Sequence, residues 1–272
     1  MQQNFISIIV PCFNQAKYLD ECLDSVVEQT FSNWECIIVN DGSQDHTEQV
    51  AQQWLIKDSR FKYINQKNLG LCAARNSGIE IAKGEFILPL DADDKISSTY
   101  IDLVINAFID DSSLKLVYCQ AKKFGEETGI WNLGTFSLEN LAKSNMIFCS
   151  SVFRKLDWEK VGGFDVNMIY GLEDWEFWIA ILKHGGNVKK IDEVGFFYRV
   201  KKESMVTSFK QEQLKYLYEY MSVKHVDFFV KHLGSFKSLL NKIAENEEKM
   251  NSEKFIINQI FKRLLGFKIF KM

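Results

Sequence analysis

Three carboxylates lie within four residues, at Asp91, Asp93 and Asp94, directly after the apolar segment 86–90. Carboxylates this close repel one another, and at the end of a strand they are costly without a cation to neutralise them. Mg²⁺ and Mn²⁺ prefer oxygen ligands of this kind and commonly bind through one or two carboxylates together with substrate phosphates. The cluster therefore favours a metal–phosphate site over a plain acidic turn, since helix capping would explain only one of the three acids.

The elements that must position these acids are predicted by the spacing of apolar residues. Short apolar segments typical of buried strands alternate with segments in which apolar residues recur at helical spacing. The predicted strands are 5–13, 34–39, 61–64 and 86–90, and the predicted helices are 15–28, 47–56 and 71–82. This alternation indicates βαβ units and a Rossmann-like α/β fold, in which helices flank a mostly parallel sheet.

Beyond residue 100 the pattern is mixed. It predicts helices at 101–108 and 173–183, strands at 114–119, 146–153 and 195–200, and helix for almost everything from about residue 209 onward.

In an open α/β sheet, ligands bind in the crevice at the carboxyl ends of the strands. The loops that end the first, second and fourth predicted strands carry polar residues, and we expect all three at this edge. Neither G-x-G-x-x-G nor G-x-x-x-x-G-K-[ST] follows the first strand. Because the sheet lacks a glycine-rich phosphate cradle, we expect a metal ion to neutralise a diphosphate here.

Composition limits the other classes of function. The chain has 272 residues, 46% of them apolar and 25% charged, with a net charge of −3. This profile suits one large globular domain, or one domain with an appendage, and excludes collagen-like and disordered chains. No apolar run reaches the roughly 18 residues of a membrane span. Six scattered cysteines form no zinc pattern, so we expect reduced thiols and a cytoplasmic protein.

Taken together, these motifs resemble glycosyltransferase family 2, whose members are inverting, nucleotide-sugar-dependent enzymes of the GT-A fold. The segments that carry the resemblance are SIIVPCFN, IIVNDGS, NLGLCAARNSG, GEFILPLDADD and GGFDVNMIYGLEDWEFW, in the family's order. The resemblance covers about residues 4–205. It implies a catalytic domain over 1–205, with a nucleotide-sugar half (1–100) and an acceptor half (101–205), followed by a helical extension over 206–272.

On the donor side, the resemblance assigns the nucleotide to the loops after the first two strands. It implies donor contacts from Pro11, Phe13, Asn14, Asp41, Arg75, Asp91, Arg199 and Lys201, and a metal ligand at Asp93. A carboxylate at Asp41 can accept a hydrogen bond from the imide N–H of uracil or thymine, which favours a UDP or dTDP donor. For Arg75, the alternative is a surface ion pair with Glu80 or Asp41.

A late loop departs from the family's pattern. Many members place a histidine two residues after an arginine; here Arg199 matches the arginine, but Lys201 stands where the histidine would be. A protonated lysine cannot ligate a metal, so Lys201 is expected to neutralise phosphate charge instead. The alternative is a basic strand end at the surface.

On the acceptor side, the resemblance implies that Asp174 is the general base, that Glu173 orients it and that Trp175 contacts the acceptor. A carboxylate suits the base because we expect it to be ionised at neutral pH. The two acids could also act simply as first-turn acids of a helix, and the two roles are compatible. For Trp175 the alternative is core packing.

The C-terminal segment 254–272 contains five basic residues, no acid and many bulky apolar residues. Such a basic amphipathic helix is typical of binding to anionic lipid, which would place the protein peripherally on the inner face of the plasma membrane. Homodimerisation through the same face and packing on the catalytic domain remain alternatives.

The sequence thus predicts a metal-dependent glycosyltransferase of the hexosyltransferase type that uses Mn²⁺ or Mg²⁺. It would move a sugar from a nucleotide-diphosphate donor to a hydroxyl of a glycan or lipid-linked acceptor, in bacterial surface polysaccharide synthesis, with no nucleic-acid partner. One alternative is a nucleotidyltransferase, which would need a glycine-rich, arginine-containing loop where the chain has Cys12, Phe13 and Asn14. The other is a non-catalytic nucleotide- or glycan-binding protein.

Overall fold

The structure is a computed structural model that describes residues 4–202, 210–267 and 269–270. The chain divides into two compact units, Met1–Lys224 and His225–Met272, which are described separately below. The expected domain boundary between residues 205 and 206 lies outside the described residues, as does position 209, where continuous helix was expected to begin.

Among the described residues of the first unit, nine strands form one sheet. The strands are β1 (Ile6–Cys12), β2 (Trp34–Asn40), β3 (Phe61–Asn65), β4 (Phe86–Pro89), β5 (Lys95–Ile96), β6 (Leu114–Gly125), β7 (Gly129–Trp131), β8 (Val152–Arg154) and β9 (Asn187–Val200). The helices of this unit are α1 (Ala16–Val27), α2 (Thr47–Lys57), α3 (Leu71–Ile81), α4 (Tyr100–Asp110), α5 (Leu138–Leu141), α6 (Lys155–Val161), α7 (Glu173–Leu182) and α8 (Gln211–Lys224).

The strand order is β3-β2-β1-β4-β8-β6-β9-β5, with β7 paired to β6. Strands β3, β2, β1 and β4 run parallel, β8 is antiparallel to both of its neighbours, and β6 pairs with β9 in parallel. The prediction of an α/β fold with a mostly parallel central sheet is confirmed. All of the residues of β1 and β2 are buried, as expected for strands in the middle of such a sheet.

The helices bury one face because their apolar residues recur at helical spacing. In α1, for example, Leu19, Leu23 and Val26 are fully buried. Each such side chain contributes roughly 1.5–3 kcal/mol of transfer free energy relative to full exposure. This packing fixes where each strand of the parallel half ends, and therefore where the loops that follow the strands lie.

The predicted strand at 146–153 is wrong in most of its length, because only Val152–Arg154 is strand. The apolar residues Met146, Ile147 and Phe148 are buried, but their segment does not pair along the sheet. Carbonyls of this segment accept hydrogen bonds from tyrosine hydroxyls rather than from a neighbouring strand. Tyr118 donates to the Met146 carbonyl at 3.1 Å, and Tyr100 donates to the Ser150 carbonyl at 2.5 Å.

The second unit consists of three helices, α9 (Val226–Leu233), α10 (Phe236–Asn251) and α11 (Glu253–Leu265). The prediction of helical structure near the C-terminus is confirmed. Not one residue of α10 is buried, and its apolar side chains are exposed, with Phe236 78% and Leu240 55% accessible. Within the described part of the chain, we find no helix with the length and apolar character needed to cross a bilayer.

Candidate active site

The loops after β1 and β2 are joined by reciprocal hydrogen bonds. The backbone N–H of Asn14 donates to Oγ of Ser43 at 3.0 Å, and Oδ1 of Asn14 accepts from the backbone N–H of Gln44 at 2.7 Å. Asn14 adopts a left-handed conformation (φ 54°), which asparagine tolerates better than most residues. Pro11 is buried, whereas Phe13 is 44% exposed. The two loops therefore meet at one edge of the sheet, as predicted.

Asp41, at the end of β2, is only 3% exposed and is surrounded by N–H donors. Its Oδ1 accepts from Nε2 of Gln66 at 2.7 Å and from the backbone N–H of Leu69 at 2.9 Å, and its Oδ2 accepts from the backbone N–H of Gly70 at 2.9 Å. A carboxylate has about four acceptor positions, so Oδ2 retains one. Asp41 thus holds the loop before α3 and can still accept one further N–H.

Asp94 is the most buried of the three acids after β4, at 2% exposure. Its Oδ1 accepts from the backbone N–H of Arg199 at 2.7 Å, but its Oδ2 has no hydrogen-bond partner among the described residues. Burial, followed by the charges of Asp93 and Asp91, raises the pKa of Asp94 well above its ordinary value. A buried carboxylate oxygen without a hydrogen-bond donor disfavours the ionised form.

The acid cluster fits a divalent cation. Ligand atoms of Asp91, Asp94 and Cys149 lie within 4.8 Å of one another. Asp91 and Asp93 have ion-pair partners in Arg75 and Lys201, whereas a cation here would give the buried Oδ2 of Asp94 a partner. The sequence pattern did not single out the thiol of Cys149. All six cysteines are free.

Asp93 is paired with the residue that replaces the family's histidine. Nζ of Lys201 lies 2.5 Å from Oδ2 of Asp93. Nε of Arg199 donates to the Asp93 carbonyl at 2.8 Å, and Nη2 of the same guanidinium pairs with Glu21. The end of β9 therefore supplies two cations to the loop after β4, and Lys201 is not merely a basic strand end on the surface.

Arg75 joins this acid cluster to helix α7. It is 1% exposed, and its Nη1 donates to Oε1 of Glu173 at 2.6 Å while its Nη2 donates to Oδ1 of Asp91 at 2.8 Å. The alternative of a surface ion pair with Glu80 or Asp41 is therefore wrong. Sequence spacing could not reveal the true partners, because Glu173 lies 98 residues away along the chain.

Asp174 lies in the first turn of α7, directly after Glu173. The helix begins after Gly171 (φ 132°) and Leu172 (φ 59°), and the second of these is a left-handed conformation that is uncommon outside glycine. Such backbone outliers are costly and concentrate at functional sites. Asp174 is partly buried, and both of its oxygens accept hydrogen bonds, from Asn145 Nδ2 at 2.8 Å and from the backbone N–H of Trp175 at 2.7 Å.

Burial raises the pKa of Asp174 to about 7, and the charge of Glu173 adds to this effect. Arg75 and the hydrogen bonds from Trp175 and Asn145 act in the opposite direction. The expectation of a fully ionised carboxylate at neutral pH is therefore wrong. A base with a pKa near the working pH is better matched to proton transfer.

Trp175 is 7% exposed, and its indole N–H donates to the carbonyl of Leu141 at 2.7 Å. Its ring makes an edge contact with Tyr218, with a centroid distance of 6.2 Å. These contacts fix the start of α7 against α5. A direct contact of Trp175 with the acceptor stays a prediction.

The sequence did not single out an aromatic group beside the acids. Trp131, on β7, is partly exposed, and its ring centroid lies 4.6 Å from that of Tyr198 and 5.0 Å from that of Phe148. Tyr198 directly precedes Arg199, whose backbone N–H donates to Asp94, so these rings lie near the acid cluster. The turn between Gly125 and Gly129 was the signal that could have revealed the hairpin.

The family model described as "Glycosyl transferase family 2" matches residues 7–174, which is more than half of the chain. The protein therefore belongs to glycosyltransferase family 2. It is similar to the putative glycosyltransferase EpsH of Bacillus subtilis, with 41% identity over 129 residues, which are 47% of this chain and 37% of EpsH. It is also similar to chondroitin synthase of Escherichia coli, with 28% identity over 72% of this chain and 28% of the synthase. The matches thus span well under half the length of these relatives.

Solved structures share the GT-A fold. Residues 1–349 of Staphylococcus aureus TarS in complex with UDP-GlcNAc superpose with a TM-score of 0.71 and 21% identity, covering 84% of this chain and 71% of the other. The mannosyltransferase PcManGT of Pyrobaculum calidifontis, in complex with GDP-Man and Mn²⁺, superposes with a TM-score of 0.56 and 17% identity, covering 92% of this chain and 81% of the other. At these sequence identities, both similarities show a shared fold.

Proposed function

We propose that this protein transfers a sugar, with inversion, from a UDP-sugar or dTDP-sugar to a hydroxyl of a glycan or lipid-linked glycan in bacterial surface polysaccharide synthesis. One observation carries the proposal. Arg75 bridges Asp91, at the end of β4, and Glu173, next to Asp174 on α7. This bridge holds two groups together in one site: the acids that would bind the donor, and the carboxylate that would deprotonate the acceptor hydroxyl.

On the donor side, Asp41 accepts the imide N–H of the base with its remaining acceptor position, and Pro11, Phe13 and Asn14 line the base. Asp91 binds ribose or sugar hydroxyls, and Arg75 positions Asp91. TarS and PcManGT share the fold and hold UDP-GlcNAc and GDP-Man, which supports a nucleotide-sugar donor without distinguishing the base.

Asp93 would hold Mn²⁺ or Mg²⁺, with Asp91 and Asp94 beside it. When bound, such a cation supplies positive charge to the departing diphosphate. Lys201, 2.5 Å from Asp93, adds a point charge on the same side, and Arg199 holds the loop that carries the acids.

On the acceptor side, Asp174 removes the hydroxyl proton as the hydroxyl oxygen attacks the anomeric carbon. The new bond forms on the face opposite the nucleotide, and the bond between the anomeric carbon and the phosphate oxygen breaks, so the configuration inverts. Glu173 is ion-paired with Arg75, and its charge opposes ionisation of Asp174. Of the two acids, Asp174 is therefore the one suited to take up a proton.

The basic end of the second unit suits the surface of an anionic membrane, where a lipid-linked acceptor would lie. Lys262 and Arg263 occupy the last turn of α11, and Ile256 in the same helix is 48% exposed. Truncation before Lys254 should abolish co-sedimentation with anionic vesicles. Unchanged sedimentation would exclude the membrane contact, and a loss of dimer mass on truncation would favour homodimerisation instead.

The function is tested by incubating the protein with UDP-, dTDP- and GDP-sugars, a glycan acceptor and Mn²⁺, and by analysing the small products. A glycosyltransferase releases a nucleoside diphosphate, whereas a nucleotidyltransferase releases or consumes pyrophosphate. Release of UDP or dTDP with a β-linked product from an α-linked donor supports the proposal. Nucleotide binding without any product would favour the non-catalytic alternative.

A further inference from the structure

Asn145 lies in the irregular segment between α5 and β8, and both ends of its side-chain amide are engaged. Nδ2 donates to Oδ2 of Asp174 at 2.8 Å, and Oδ1 accepts from the backbone N–H of Ile147 at 3.2 Å. The backbone donor fixes the direction of the amide, because a flipped amide would place oxygen against the carboxylate and nitrogen against an N–H. The buried segment that follows, which includes Met146 and Phe148, holds Asn145 in place.

The hydrogen bond from Asn145 leaves Asp174 able to react. Oδ1 of Asp174 accepts from the backbone N–H of Trp175, so each carboxylate oxygen receives one hydrogen bond. Since each oxygen has about two acceptor positions, one remains on each for a substrate hydroxyl. The carboxylate is therefore held from two sides, by its own helix and by Asn145.

The charged surroundings of Asp174 make this amide important. Glu173, on the same helix, opposes ionisation, whereas Arg75 on α3 favours it. The two terminal nitrogens of Arg75 already donate to Glu173 and Asp91. The pKa of the Cys149 thiol is raised mainly by burial, and the charge of Asp174 contributes to the increase.

Several acids of α7 and of the helices that pack with it have ion-pair partners of their own. Asp157 of α6 lies near Lys115 and Lys160, and Glu176 of α7 pairs with Lys224. On α5, Glu139 pairs with Lys143.

We propose that Asn145 is a positioning residue for the general base: its amide orients the Asp174 carboxylate toward the acceptor hydroxyl and stabilises the ionised form. This inference rests on the proposed function, because it requires Asp174 to be the base. A hydrogen bond to a charged group contributes more than one between neutral groups. Removing the donor should therefore favour the protonated form of Asp174.

The test compares pH profiles of turnover for the native chain, Asn145→Ala and the isosteric Asn145→Asp. We expect the acidic limb of the profile to shift to higher pH by about one unit in Asn145→Ala. The shift should be larger in Asn145→Asp, because this variant adds a carboxylate. At pH 7, turnover of Asn145→Ala should fall about fivefold, and most of it should return at high pH. The donor KM should stay within about twofold.

Asn140→Ala is the matched control. Nδ2 of Asn140 donates to the carbonyl of Thr135, so this variant also removes a side-chain amide bond from the neighbouring segment, without touching Asp174. It should leave the acidic limb unmoved. A uniform drop in turnover at every pH in both Asn145 variants, with an unmoved limb, would overturn the inference.

Failure of the inference is distinguishable from failure of the proposed function. If the native chain makes no glycoside, or if Asp174→Asn turns over normally, the function itself fails. If the native chain is active, Asp174→Asn is not, and the Asn145 variants keep the native limb, only the inference fails. Should Asn145→Ala unfold, Asn145→Asp has the same volume and decides the question alone.

Discussion

The guanidinium of Arg75 donates to Oε1 of Glu173 at 2.6 Å and, with its other terminal nitrogen, to Oδ1 of Asp91 at 2.8 Å. This buried contact joins α3, the end of β4 and the start of α7. Because it ties the acids after β4 to the acids of α7, it sets the separation between the two groups of acids.

Replacing Arg75 by methionine should destabilise the protein by about 3–5 kcal/mol, because the buried Glu173 and the partly buried Asp91 both lose their cation. Denaturant unfolding measures this change. Arg75→Lys retains the charge but not the bidentate fork, and should recover only part of the stability and of donor binding. Full stability in Arg75→Met would show that neither acid depends on this bridge.

Asp174→Asn should bind the donor normally but turn over at least about a hundredfold more slowly, since a general base commonly contributes 10²–10⁴-fold. In the native chain, turnover should fall as the pH drops through about 7, because Asp174, with its pKa raised to about 7, becomes protonated there. Steady-state kinetics over pH 5–9 measures both effects. Native turnover in Asp174→Asn would remove Asp174 from its role.

Trp131→Ala should raise the acceptor KM up to about tenfold and leave the donor KM within about twofold, because a partly exposed ring beside the acids can pack on a sugar ring. Ile130→Ala is the matched control, since Ile130 precedes Trp131 on the same strand and is 59% exposed. Separate titrations of donor and acceptor measure the two constants. Equal changes in both variants would indicate a general loosening of the hairpin.

The core of the sheet could be predicted from the sequence because its signals are local. Buried strands β1 and β2 are continuous apolar segments, and α1 repeats apolar residues at helical spacing. The segment 146–151 has equally apolar residues, yet its carbonyls bond to tyrosine hydroxyls from β6 and α4. Partners of this kind are distant along the chain, so periodicity could not reveal them.

The same reason limits what the sequence could predict of the site. The acids after β4 could be singled out because they are adjacent in sequence, whereas the partners of Arg75 and the hydrogen bond from Asn145 to Asp174 depend on tertiary packing. The raised pKa of Asp174 follows mainly from burial. Burial belongs to the folded structure and cannot be read from the residue type.

A separate prediction concerns the contact between α8 and the loop before α7. Burial alone would raise the pKa of Asp165. Hydrogen bonds from Lys224, Asn167 and Tyr220 outweigh this effect and lower the pKa of Asp165 to about 2. Because the folded-state pKa is lower than the ordinary value, this interaction stabilises the fold above pH 3.8 and is lost as the pH falls from 3.8 to about 2.

Asp165→Asn should therefore lower the free energy of unfolding by about 2 kcal/mol at pH 7, and the difference should vanish near pH 2. Urea unfolding between pH 2 and pH 7 measures it. Glu127→Gln removes an exposed acid paired with Lys123 and should change stability by less than about 1 kcal/mol. A constant difference between Asp165→Asn and the native chain at all pH values would contradict this account.

The most direct test of the account is the binding of UDP, measured by calorimetry with and without Mn²⁺, for the native chain and for Asp93→Asn. The central claim is that the acids after β4 bind a divalent cation together with a nucleoside diphosphate. We predict that Mn²⁺ tightens UDP binding at least about tenfold in the native chain, because a bound cation would offset the repulsion between carboxylate and phosphate charges, and that Asp93→Asn abolishes this gain. Equal affinity with and without the metal in the native chain, or an unchanged gain in Asp93→Asn, would contradict the claim.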